Sequence, residues 1–147
     1  MMQTGFAMLC AGSVRAKNVK NIMLKNILDA CGGAIGFYTI GYGLAYGYGD
    51  GRTFCGTDNF ALHQWALNPE DAAYASFFFQ FAFAATAATI VAGTVAERCK
   101  MAAYLCYSFF LTSFVYPIIV HSIWIPNGFL SAFPQNNPED LFRGAGM

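Results

Sequence analysis

The chain has 147 residues, of which 56% are hydrophobic and only 11% charged, and its formal net charge is zero. Soluble domains carry about 25% charged residues, so this composition excludes an ordinary water-soluble domain, and zero net charge leaves no electrostatic case for nucleic acid as a partner. The five cysteines show no CxxC pair and no metal-ligand spacing, so neither a metal nor another cofactor is expected.

Residues 1–14 are apolar but extend only about 21 Å as a helix, too short to cross a bilayer. Two readings stand: an interfacial segment, or the remnant of a transmembrane helix whose first half is absent. Residues 15–25 follow with Arg15, Lys17, Lys20 and Lys25. A first full span is expected at about 26–48. Asp29 lies one helical turn from Lys25, a spacing that predicts an ion pair at the interface. Gly32 with Gly36, and Gly43 with Gly47, form GxxxG pairs that let helix backbones approach closely. Tyr42, Tyr46 and Tyr48 gather at the far end, where an aromatic belt belongs.

Residues 49–71 read as a polar loop holding Asp50, Asp58, Glu70 and Asp71, with Arg52 its only cation. Within it Cys55 is either a free thiol or a link between subunits. Residues 72–96 and 101–125 are two uncharged, largely apolar runs of 25 residues each, separated by Glu97, Arg98, Cys99 and Lys100. As a helix each run extends about 37 Å, against a hydrocarbon core of about 30 Å. These runs make the chain an integral membrane protein, all-α, a polytopic transmembrane helical bundle in contact with the lipid bilayer. Residues 126–147 carry Gly128, Pro134, Pro138, Gly144 and Gly146, and read as loop.

Cations in short loops mark the cytosolic side. Loops 15–25 and 97–100 hold six of the eight Lys and Arg residues, so they are expected in the cytosol, with loop 49–71 and tail 126–147 external. The two assignments alternate correctly around three spans.

Ser76, Phe79, Gln80 and Phe83 fall at i, i+3, i+4 and i+7, on one helical face. Gln80 is an amide in hydrocarbon and requires a partner or a wet cavity. The face either lines a narrow route or packs against neighbouring helices, and spacing alone favours packing. His121 and Trp124 share a face at the outer end of the last span. An indole there either binds a cation through its π face or serves as an ordinary interface anchor, the commoner use. A lone histidine on an apolar helix points to a hydrogen-bonded structural role. Pro117 is expected to kink its helix and free a backbone carbonyl. The chain shows no paired carboxylates, nucleophile–base pair, P-loop or HExxH, and His63 is isolated, so no catalytic residue and no enzyme is expected.

Three segments resemble the ammonium transporter family, above all its plant and algal type. The stretch from Gly5 to Asn18 (GFAMLCAGSVRAKN), followed by Asn21, Ile22, Met23 and Leu24, resembles the end of that family's first transmembrane helix and the loop into the second. Phe79 to Ala84 (FQFAFA), leading to Gly93, Thr94, Val95, Ala96, Glu97 and Arg98, is similar to its third helix. Tyr116 and Pro117, with His121, Ser122, Ile123 and Trp124, are similar to the outer end of its fourth.

The resemblance implies that residues 1–147 are a partial ammonium transporter domain, the N-terminal portion of the fold from the end of helix 1 through helix 4. It places Phe83 where the family has an aromatic gating the outer mouth of the pore, and Trp124 where it has the tryptophan that recruits the ammonium ion. Phe79 and Gln80 join them as pore-lining candidates. It further implies a plasma-membrane protein whose full-length parent is a homotrimer. Recruitment by cation–π contact would be followed by deprotonation, because a bare charge is costly in a hydrophobic pore. The family's pore histidines lie in segments outside this chain. The competing expectation is a non-transporting fragment that packs on full-length subunits and modulates their assembly.

Overall fold

A computed structural model of the chain describes residues 2–47, 53–63, 71–126 and 128–131. The expectations for Tyr48, for parts of loop 49–71 and for the tail beyond residue 131 lie outside these residues. Helix α1 (Met2–Ser13) leads through a short 3-10 turn (Ala16–Asn18) into α2 (Val19–Gly36). A π turn (Phe37–Gly41) carries α2 without a break into α3 (Tyr42–Tyr46). Helix α4 (Asp71–Val95) follows, then α5 (Met101–Phe110), a second π turn (Leu111–Val115) and α6 (Tyr116–Trp124). Segments Tyr74–Val95 and Met101–Trp124 are each long and apolar enough to cross a membrane, at 22 and 24 residues.

The bundle exposes large apolar side chains on its outside and buries polar ones among the apolar residues of its inside. On α2 the residues exposed at i, i+4 and i+7 are Lys20, Leu24 and Ile27, and the stripe continues through Ile35 and Tyr38. Lys25, Asn26 and Asp29 of the same helix are buried. In water this arrangement would expose apolar surface and desolvate charge together. In hydrocarbon it is the favourable one, since the lipid covers the aliphatic face and neighbouring helices satisfy the polar groups. The chain is thus integrated in a membrane, as the two apolar runs require.

Asp29 is 1% exposed and accepts hydrogen bonds from the hydroxyls of Thr89 on α4 (2.9 Å) and Ser108 on α5. The Thr89 oxygen in turn accepts from Gln3 Nε2 of α1 at 2.6 Å. One polar chain therefore joins four helices. The ion pair expected between Lys25 and Asp29 does not form. Lys25 Nζ instead donates to the carbonyls of Ala96 and Cys99, each at 3.0 Å. These lie in the turn just past the C-terminal end of α4, where the helix dipole favours a cation.

Helix α1 lies alongside α4, with the Cys10 thiol facing Gly93, and so belongs to the bundle rather than to the interfacial plane. The glycine pairing also differs from the GxxxG reading. Gly32 faces open space, whereas a Cβ on Gly33 would sit 3.4 Å from Thr112 Cγ2 and one on Gly36 would press on Ser113 and Phe109. A Cβ on Gly41 would come within 2.8 Å of the Thr112 carbonyl. Gly33, Gly36 and Gly41 thus form the seam with α5 and its π turn. Gly43 and Gly47 face the loop instead, beneath Phe60 and Asp58. A π turn precedes Pro117, with the Tyr116 N–H bonded to the Leu111 carbonyl, and the backbone stays helical through Val115 and Tyr116.

Candidate functional site: an aromatic vestibule

The four candidate side chains come together. Phe79, Gln80 and Phe83 of α4 line one pocket of about 400 Å³ with Tyr46 of α3 and Tyr116, Val120 and Trp124 of α6. Phe79 and Phe83 sit one helical turn apart in edge-to-face contact, ring centroids 5.0 Å apart. Both remain open, 59% and 43% exposed, and Trp124 is 59% exposed. Gln80 lines the pocket and makes no hydrogen bond to another helix among the described residues. Ser76, on the same face by spacing, is exposed and does not line the pocket.

The pocket floor is an aromatic seam. Phe37, buried completely, packs its ring against Tyr42, Phe77, Phe81 and Tyr116, with centroid separations of 5.7 to 6.5 Å. Tyr42 stacks on Tyr46 at 5.0 Å. Tyr46 and Tyr116 thus belong both to this packed cluster and to the pocket lining. Sequence reasoning assigned Tyr46 to an aromatic belt and gave Tyr116 and Val120 no site role. Their signal was the i, i+4, i+8 spacing of Tyr116, Val120 and Trp124, which puts three side chains on one face of α6.

His121 and Trp124, expected on one face, point to different surroundings. His121 is fully buried, its Nδ1 2.9 Å from the Ala45 carbonyl and its Nε2 2.8 Å from Thr53 Oγ1. A carbonyl can only accept, so the ring donates from Nδ1, and Nε2 shares a hydrogen bond with the Thr53 hydroxyl. This is the hydrogen-bonded structural role that a lone histidine predicts. The bond holds loop residues 53–62 over the helix ends, where Thr53 also bridges to Gly128, Phe54 stacks on Phe129 (5.8 Å), and Gly56 donates to the Leu44 carbonyl (2.8 Å).

An open pocket walled by five aromatic rings and one amide suits a small cation that donates hydrogen bonds. The ring faces supply negative potential, and the amide oxygen supplies an acceptor. No group of three or more His, Cys, Asp or Glu side chains able to hold a metal occurs among the described residues. Cys55 is a free thiol in the single chain.

Comparison with known proteins bears on the same architecture. The chain is 50% identical over 146 residues to ammonium transporter 1 member 3 of Solanum lycopersicum, covering 99% of this chain and 30% of the relative. It is 49% identical over 138 residues to ammonium transporter 1 member 1 of Arabidopsis thaliana, covering 94% and 27%. Among solved structures, one named Sensor Amt Protein superposes with a TM-score of 0.78 at 32% identity, covering 94% of this chain and 32% of that one. The chain therefore spans about 30% of the length of the curated relatives it matches. The profile of the Ammonium Transporter Family matches residues 1–137, and the chain belongs to that family.

Proposed function

We propose that this chain forms the outer vestibule of a transporter that moves ammonium across a membrane. The observation that carries the reading is the convergence of Phe79, Gln80, Phe83 and Trp124 on one open aromatic pocket. The names of its relatives support ammonium as the substrate. Trp124 would recruit the cation through its ring face, Gln80 would accept one of its N–H bonds, and Phe83 with Phe79 would narrow the way inward. Desolvation of the ion at this constriction is the costly event, since a charge in hydrocarbon is penalised by several kcal/mol. A neutral species passes such a constriction far more easily, which fits transfer of the proton before entry. The work is binding and passage, and no step calls for covalent catalysis.

The reading extends to placement. The end that carries Arg15, Lys17, Lys20, Arg98 and Lys100 faces the cytosol, the vestibule faces outward across the plasma membrane, and the complete protein is a homotrimer. Residues 1–147 form one partial transporter domain with spans near 26–48, 72–96 and 101–125.

The test is Trp124→Leu in the complete protein, with uptake of ammonium measured against concentration. A lost cation–π contact worth about 0.5–2 kcal/mol should raise the half-saturating concentration about 2- to 30-fold. Surface abundance and assembly should stay unchanged. Unaltered uptake kinetics would take Trp124 out of the recruiting site.

A further inference from the structure

Every non-glycine residue with a positive φ among the described ones falls in a single turn of the loop: Asn59 (64°), Ala61 (51°) and Leu62 (56°). Asparagine enters this left-handed region readily, but in alanine and leucine the Cβ comes too close to the following carbonyl. A bulky side chain there is a true outlier. Such a backbone persists only where its surroundings over-determine it.

The surroundings do so here. Thr53 is bonded to His121, and Gly56 donates to the Leu44 carbonyl. Phe60 lies so close on Gly43 that a Cβ there would sit 2.7 Å from its ring, and a Cβ on Gly56 would press on the Gly43 carbonyl. Tied at these points, the turn leaves Ala61 exposed and sends Leu62 inward. Leu62, 7% exposed, is the one apolar side chain that residues 53–63 bury. It joins Phe37, Tyr42 and Ala84 in the cluster on which Tyr46, Phe77, Phe81 and Tyr116 pack. Tyr46 and Tyr116 also line the vestibule, so the strained turn and the pocket share two rings.

We propose that Leu62 is a positioning residue for the vestibule: held in its left-handed turn, it wedges the aromatic cluster and fixes the Tyr46 and Tyr116 rings in the pocket wall. The proposal rests on the vestibule being the recruiting site. A ring attracts a cation only over its face, within about 6 Å of its centroid. Ring orientation therefore sets affinity as much as ring presence does. Leu62 as ordinary core filling predicts something else, a loss of stability with affinity unchanged.

The experiment pairs uptake kinetics with fluorine NMR of the complete protein in detergent, with Tyr46 alone replaced by 3-fluorotyrosine. Leu62→Ala should shift or broaden the fluorine signal. It should also raise the half-saturating ammonium concentration about 2- to 30-fold, the range one misplaced cation–π ring forfeits, at an unchanged maximal rate per transporter at the surface. Leu62→Met, which refills the site at similar volume, should restore both. Ile22→Ala is the control for a damaged core, since Ile22 is 1% exposed but lies about 36 Å from Tyr46 along α2 and α3. It should lower the melting temperature and move neither the signal nor the half-saturation. A signal unmoved by Leu62→Ala, or moved equally by Ile22→Ala, overturns the proposal. So does a moved signal with unchanged half-saturation in Leu62→Ala, where Trp124→Leu does alter uptake. Unaltered uptake in Trp124→Leu as well brings down the vestibule reading itself, and this proposal with it.

Discussion

At the scale of single residues, Trp124 and His121 show how three positions on one helix separate two roles. Both are polar-tipped rings near the C-terminal end of α6, yet one is open to the pocket and the other is sealed beneath the loop. The difference comes from what lies opposite each. His121 meets the Ala45 carbonyl at the C-terminal end of α3, one of the orphan acceptors that every helix end leaves. Trp124 stands with Tyr116 and Val120 over the cavity. His121→Ala removes the donor to Ala45 and the side-chain partner of Thr53, and leaves the buried Ala45 carbonyl unpaired. A buried group orphaned in this way costs about 1–3 kcal/mol. The variant should unfold earlier on heating in detergent and expose the 53–63 loop to protease, while Trp124→Leu should do neither. A His121→Ala protein with unchanged melting and unchanged cleavage would remove the histidine from its structural role.

At the scale of elements, the pairing of α2 with α5 turns on which glycines face the partner. A Cβ on Gly36 would sit 3.1 Å from the Phe109 ring, and one on Gly32 would meet nothing within 4 Å. Gly36→Val forces the two helices apart at a packed seam, and overpacking of this kind costs about 1–3 kcal/mol. Gly32→Ala meets no neighbour and should be neutral or stabilising by up to about 1 kcal/mol, because alanine is the better helix former. Thermal unfolding of the two variants in detergent decides between this seam and the GxxxG register: loss of stability at Gly32 but not at Gly36 would reverse the assignment. The two π turns meet at the same seam, where Gly41 approaches the Thr112 carbonyl. Such turns are rare and often sit beside functional sites, and here they lead directly into α3 and α6, which carry Tyr46, Tyr116, Val120 and Trp124.

For the molecule as a whole, the connections at the basic end are tied to each other. Glu97, between α4 and α5, takes the backbone N–H of Arg15 and the amide of Asn18, between α1 and α2. These bonds, with the nearby Arg15 and Lys17 charges, hold its carboxyl below the ordinary value of 4.5. A lowered carboxylate stabilises the fold fully above its unfolded value and loses that contribution as pH falls through the folded one. The tie should therefore be complete at neutral pH and through pH 5, and should loosen only below about pH 4.5. Hydrogen-exchange protection of the Arg15 amide checks this, corrected for the intrinsic rate at each pH. Glu97→Gln, which keeps an acceptor but cannot ionise, should abolish the pH dependence. Loss of protection already between pH 7 and 6 would show that another group controls the tie.

The sequence by itself determined the solvent of this protein. Two uncharged runs longer than a bilayer is thick, and cations confined to alternate connections, state a membrane bundle in one dimension, because hydrocarbon tolerates neither charge nor unpaired backbone. The candidates Phe79, Gln80, Phe83 and Trp124 were also legible there, the first three by helical spacing and Trp124 with Phe83 by resemblance. Only the tertiary structure decided which polar groups meet. Lys25 and Asp29 are one turn apart in sequence, yet one caps α4 and the other joins Thr89 to Ser108. Local spacing says which side chains share a face, but the partner across that face comes from residues 60 to 79 positions away. In a membrane interior without water, a buried charge settles on whichever distant group can satisfy it.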